Sequence, residues 1–197
     1  MANTREIAIL VVLILAIVLL VKAIEFFKPD VQEADASKFV VEDLHSKYPT
    51  ADIEIMVIRE LHNDNDEKYY EIKAKVTKDP LTPCPERMHI FYNYPVQNFV
   101  TQPTEYITRN CQVCTEGTCT IAFPEEAVIA SHTFEGTEAV HDYITQYDDA
   151  VPVVSEADDK WTVTWDSKEA SSYYIVTLGI NGKIESVKEI EEEEPIE

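Results

Sequence analysis

From Ile7 to Val21 the chain is an unbroken run of Ile, Leu, Val and Ala, and Ala23, Ile24, Phe26 and Phe27 carry it to membrane length. As an α-helix, residues 7–27 rise about 31 Å, enough to cross a hydrocarbon core of roughly 30 Å. No later stretch is long enough to do the same, so the sequence divides into an N-terminal anchor, residues 1–28, and a head. Lys22 and Glu25 lie three apart on one helix face, where long side chains reach back to the headgroups. A cleaved secretory signal is the alternative, because Val21-Lys22-Ala23 loosely fits a small-x-small cleavage site. Arg5 stands before the run and Lys22 and Lys28 at its end, so the positive-inside rule has little asymmetry to act on. The four cysteines suit an oxidising space, which favours a single-pass protein of the cell membrane with its C-terminal domain extracytoplasmic.

Composition narrows the classes open to the head. With 45% hydrophobic and 10% aromatic residues, the chain has enough apolar material for a core. A formal charge of −21 argues against nucleic acid or anionic lipid as partners of the head, since both require clustered Lys and Arg. The four glycines, Gly117, Gly136, Gly179 and Gly182, build no phosphate cradle, so no nucleotide cofactor is expected. The strings G-x-S-x-G and H-E-x-x-H are missing, and so is any acceptor for N-glycosylation.

The organisation expected along the head is a linker (residues 29–33), a first half (34–94), a cysteine-bearing connecting segment (95–123), a second half (124–190) and an acidic tail (191–197). In the first half, Asp35 or Ser37 is placed to cap a helix with Phe39, Val40 and Leu44 inward, closed by Pro49. Residues 52–60 alternate, with Ile53, Ile55 and Val57 on one side; the polar cluster from His62 to Glu67 turns the chain, and residues 69–76 alternate again. Residues 87–94 make a further strand. In the second half Thr137 precedes an apolar stripe of Ala139, Val140, Tyr143, Ile144 and Tyr147, and three strands follow over residues 151–156, 161–165 and 173–180. Asn181-Gly182 is a hairpin turn, and residues 183–190 return. The two halves share texture near a separation of one hundred residues: Val41, Asp43 and Tyr48 against Val140, Asp142 and Tyr147, and Tyr69-Tyr70 against Tyr173-Tyr174.

Helix, strand, strand ending in a two-residue turn, and last strand, as in Tyr173-Tyr174-Ile175-Val176-Thr177-Leu178-Gly179-Ile180-Asn181-Gly182-Lys183, resembles a PepSY or cystatin-like module. The resemblance implies an α+β fold of two cystatin-like halves, each a helix with an antiparallel sheet, joined by a disulfide-stapled irregular segment. It also implies a regulatory or binding role outside the cell rather than a reaction. The Q-x-V-x-G loop of inhibitory cystatins does not occur here.

Cys84, Cys111, Cys114 and Cys119 are the chemically pointed residues. An even number outside the cytoplasm reads as two disulfides, with three pairings open. Structural zinc on the same four thiolates is the alternative, although the ligands do not fall into two short Cys pairs. A thiol role for Cys111 or Cys114 is disfavoured by Glu116, which would raise their pKa. Asp64-Asn65-Asp66-Glu67 has the opening of a calcium loop, but Lys68 takes a ligand position and the loop glycine is missing, so it reads as a hairpin tip. Ser131 and His132 beside Glu125 and Glu126 are adjacent in sequence rather than arranged as a triad. His45, His62, His89 and His141 show no metal-ligand spacing. Tyr92, Tyr94, Phe99 and Tyr106 are candidates for a partner surface.

The sequence therefore predicts a non-enzymatic, membrane-anchored binding or regulatory protein with no catalytic residue and no cofactor, its partners the membrane through residues 7–27 and a protein or envelope component. Two alternatives are a thiol or zinc protein using the cysteine cluster and a filament subunit. Pilins are similar in joining an apolar helix to a β-rich head, and Glu6 becomes fifth once Met1 is removed; the basic leader that precedes pilin processing is not found.

Overall fold

The computed structural model describes residues 11–20, 22, 31–95, 102–114 and 119–191. The chain forms two units, Met1–Gln32 and Glu33–Glu197. In the first, residues 11–20 and 22 are helical, and Val11 to Leu20 leave their large apolar side chains exposed. Among the described residues no helix is long and apolar enough to cross a membrane. Residues 7–10, 21 and 23–27 of the expected span lie outside the described residues.

The second unit is α+β, with two four-stranded antiparallel sheets. Its first helix, α1 (Glu33–Lys47), begins before Asp35 and Ser37, the caps expected from the sequence, and places acidic side chains in its first turn and His45 and Lys47 in its last, as the helix dipole favours. Ala36, Val40 and Leu44 are fully buried at successive i,i+4 positions. They cover strands β1 (Asp52–His62), β2 (Lys68–Lys78) and β3 (Glu86–Tyr94), which with the short β4 (Glu105–Tyr106) form a meander in chain order. Tyr70, Ile72, Ala74, Val76 and Met88 supply the sheet side of this core.

Strand β1 departs from the expected alternation. A bulge between Ile55 and Val57 leaves Met56 unpaired, so Ile53 and Ile55 face the core opposite Val76 and Ala74, whereas Val57 pairs with Lys73 on the reverse face. Ile58, opposite Ile72, takes the inward place.

The second half holds a helix that its sequence did not announce. Helix α2 (Pro124–Thr133) precedes α3 (Glu138–Gln146), and the two lie against a meander of β5 (Val151–Ala157), β6 (Lys160–Asp166), β7 (Ser172–Gly179) and β8 (Ile184–Glu191). Thr137 sits at the α3 N-cap, but its hydroxyl donates to the Phe134 carbonyl instead of accepting from the helix. Trp161, Val163, Trp165, Val176 and Leu178 pack under Ala127, Val128, Ala130, Val140 and Tyr143. Both buried indoles have their N–H satisfied: Trp161 donates to the Ile121 carbonyl at 3.0 Å and Trp165 to Ser131 Oγ at 2.9 Å. The Asn181-Gly182 turn forms as expected. Gly182 adopts φ +76°, and a Cβ there would lie 2.5 Å from Cys119 Sγ, so both backbone and space require glycine.

Two disulfides close the irregular segment, Cys84–Cys111 and Cys114–Cys119. All four sulfurs are thereby spent, and the zinc alternative on four thiolates is corrected: a disulfide sulfur carries no thiolate charge to give a metal.

Candidate functional site

Helix α2 joins the two halves, and its sequence explains how. Pro124 fits the first helical position, where no partner for its nitrogen is needed. Glu126, two residues on, turns back to accept the N–H groups of Ala122 and Phe123 at 2.8 and 2.9 Å. That start aims Glu125 toward the first sheet and, two turns later, His132 toward the connecting segment.

Glu125 is buried between Thr77 and Arg87, both on the reverse face of the first sheet. Thr77 Oγ1 donates to it at 2.7 Å and Arg87 Nη1 at 2.9 Å. These two bonds hold its carboxyl below the ordinary carboxylate range, against a burial that pushes it up. The Arg87 guanidinium lies 3.6 Å from the Phe123 ring centroid and donates from Nε and Nη2 to His89 Nε2 at 3.3 Å. His89 Nε2 is thus an acceptor, which leaves the ring proton on Nδ1 to donate to Glu105 at 3.0 Å. Glu105 in turn takes Lys73 at 3.1 Å. Burial, with the charges of Lys73 and Arg87, keeps the His89 pKa below the usual imidazole value despite Glu105, so the ring is neutral. The result is a polar chain from buried Glu125 to the surface, and no described buried side-chain N or O atom lacks a partner.

His132 is the second product of α2. Its Nδ1 donates to the Val128 carbonyl at 2.9 Å, fixing the tautomer, so the bare lone pair of Nε2 faces Cys111 Sγ at 3.6 Å. The side chain is buried, with its ring edge-to-face on Trp165 at 5.5 Å, and burial lowers its pKa. Cys84 Sγ, Cys111 Sγ and His132 Nε2 lie within 4.8 Å of one another. On its other side His132 borders an open groove of about 500 Å³ shared with Glu135, Glu138, His141 and Asp142.

A third feature is the outer face of the second sheet. Strand register lines up Ser155, Thr162, Thr177 and Ser186 as a rank of hydroxyls across all four strands, and beside it Val153, Thr164, Ile175 and Lys188. Val153 is 62% exposed and Val151 40%, and Lys188 is the one charge in these two ranks.

The residues singled out from sequence are distributed as follows. Cys111 and Cys114 belong to different bridges. Ser131 donates to the Val128 carbonyl and accepts from Trp165, so it does not address His132. Tyr92 donates to Asp43 at 2.5 Å and Tyr94 stacks on Phe39, so both are drawn onto α1. Tyr106 is exposed beneath Arg109, and Phe99 lies outside the described residues. Sequence reasoning missed the Glu125–Arg87 pair and the approach of His132 to Cys111; partners separated by 38 and 21 residues leave no local signal.

No family model matches the chain, and no curated protein matches it. Among solved structures it is similar to a candidate lipoprotein from Clostridium difficile 630 at 13% identity, over 83% of this chain and 97% of that one, with a TM-score of 0.22. A superposition that loose does not establish a shared fold.

Proposed function

We propose that this chain is a membrane-anchored, extracytoplasmic binding protein without catalytic activity, whose two helix-plus-meander halves are cystatin-like modules. The reading of its binding role is carried by the outer face of the second sheet. In a chain of charge −21, the ranks Ser155–Thr162–Thr177–Ser186 and Val153–Thr164–Ile175–Lys188 offer hydroxyls and apolar side chains with one cation among them. Such a face suits a protein partner with an uncharged surface, because docking there strips few charges of water. The anchor is the apolar run of residues 7–27, and the two disulfides favour an oxidising compartment.

The test uses the full chain produced in cells, with a photoreactive side chain at Val153. Retention in membranes after a high-salt wash, loss of the head to protease added outside, and one discrete cross-linked partner that Thr164→Arg abolishes are the expected results. Recovery of the chain from the cytosol with four reduced thiols overturns the placement. Cross-linking indifferent to Thr164→Arg overturns the binding face, and a cross-link to a second copy of this chain replaces the foreign partner with self-association.

A further inference from the structure

We propose that the Cys84–Cys111 bridge is a thiol-exchange site at which an external thiol attacks Cys84 and gives its proton to the His132 imidazole, beside which the Cys111 sulfur departs as a thiolate. The inference goes beyond the binding role and does not depend on it, since it concerns another surface and a different chemistry.

Two observations converge on this assignment. The two cysteines are unequal as residues: Cys84 is exposed, whereas Cys111 is half-buried, as are Cys114 and Cys119, which favours Cys84 as the point of attack. The leaving side has a built acceptor. His132 Nε2 stands 3.6 Å from Cys111 Sγ as a bare lone pair, because Nδ1–H is committed to the Val128 carbonyl and cannot supply the alternative tautomer. Left-handed backbone does not distinguish the two bridges, since Asn110 and Cys111, at φ 55° and 56°, share it with Cys114 at φ 56°.

The step balances without any further reagent. The attacking thiol forms a new S–S bond to Cys84 and loses its proton; the old S–S bond breaks, and its electron pair goes to Cys111 as a thiolate. The proton ends on His132 Nε2, giving a thiolate–imidazolium pair that lowers the leaving group's basicity, the factor that governs exchange rate on the departing side. The external thiol is oxidised to a mixed disulfide and the internal bridge is reduced, and a second thiol completes the reduction. Cys114 and Cys119 are both half-buried residues packed against the second core, so that bridge serves as a control within the same molecule. Titration of His132 is felt through its groove neighbours as well: His141 on α3 opposes its protonation, and Glu135, Glu138 and Asp142 line the same groove.

The full chain is treated with reduced glutathione, quenched in acid and alkylated, and each cysteine is assigned by peptide mass spectrometry. Glutathione on Cys84 with the alkyl label on Cys111, ahead of any label on Cys114 or Cys119, is the expected pattern. Glutathione on Cys111, or earlier opening of Cys114–Cys119, overturns the proposal. His132→Gln is expected to slow opening roughly tenfold at neutral pH and to remove the imidazole inflection from the pH–rate profile. An unchanged rate and profile in the folded variant removes His132 from the site. Should His132→Gln fail to fold, the attachment pattern in the native chain decides alone.

Discussion

The two halves share a plan, helix over a four-stranded meander, but turn opposite kinds of surface away from their cores. On the reverse of the first sheet, Arg59 pairs with Glu71, Lys73 with Glu105, and Lys75 with Asp52 and Glu54, while Thr77, Arg87 and His89 are fully buried under α2 and Phe123. On the reverse of the second sheet the two central ranks are Ser, Thr, Val and Ile with Lys188 as their one charge, and they are half-buried or exposed. The difference shows that an identical alternation of side chains can serve two ends. A charged reverse face closes an internal junction, because ion pairs need fixed partners to offset desolvation, and one with few charges stays free to meet something else.

The junction is where the largest effect is expected. Glu125→Ala strips Arg87 of its carboxylate while leaving the guanidinium enclosed, and removing one member of such a pair costs about 3–5 kcal/mol. Equilibrium denaturation in urea measures it. Arg87→Met on top of Glu125→Ala is expected to recover much of the loss, since the penalty lies in the uncompensated charge. Failure of the double variant to recover would show that the junction depends on the shape of the hydrogen-bonded chain through His89, and the contrast between the two reverse faces would then be one of packing more than charge.

How far the sequence reveals this contrast depends on how local its causes are. Alternation in β2, β6 and β7 is written plainly, as is the Asn181-Gly182 turn, because neighbouring residues alone decide pleat and turn conformation. Val57 misleads: the bulge at Met56 reverses the parity of β1, and nothing in Ile53-Glu54-Ile55-Met56-Val57-Ile58 marks which residue is skipped. Helix α2 is hidden for a related reason. Glu125 and every residue from Ala127 to His132 are buried, because one side faces the Trp161–Trp165 core and the other the first half and the Cys111 turn, so no apolar stripe stands out against a polar one. Four cysteines announce disulfides, yet pairing Cys84 with Cys111 requires knowing that the β2–β3 connection passes the segment after β4.

Acid offers a second way to sharpen the comparison, because each half encloses one neutral histidine. His89 and His132 both have their pKa lowered, chiefly by burial. Unfolded imidazoles take up a proton near pH 6.5, and the folded ones only at lower pH, so the unfolded state binds more protons as the pH falls. Stability is therefore full above about pH 6.5 and declines below it. Glu125, depressed in the folded state, adds to the loss below about pH 4.5, whereas Glu126, raised by burial, works against it. A series of urea midpoints between about pH 5 and 8 checks the sign. A flat series would mean that neither ring is held neutral, and the closed character of the first reverse face would be lost with it.

The smallest expected effect isolates the comparison most cleanly, because it sets two threonines in equivalent places against each other. Thr77 lies on the reverse of β2 and Thr164 on the reverse of β6, each strand flanked on both sides by partners in its sheet. Thr77→Val keeps shape and strand preference but deletes a buried 2.7 Å bond to a carboxylate, with an expected cost of about 1.5–3 kcal/mol. Thr164→Glu puts a charge among Val153, Ile175 and solvent, where a half-exposed strand position changes stability by no more than about 1 kcal/mol. Thermal unfolding of the two single variants against the parent ranks them. If Thr164→Glu proved the more damaging, the outer face of the second sheet would have to be covered within the chain itself, and the surface assigned to a partner would already be occupied.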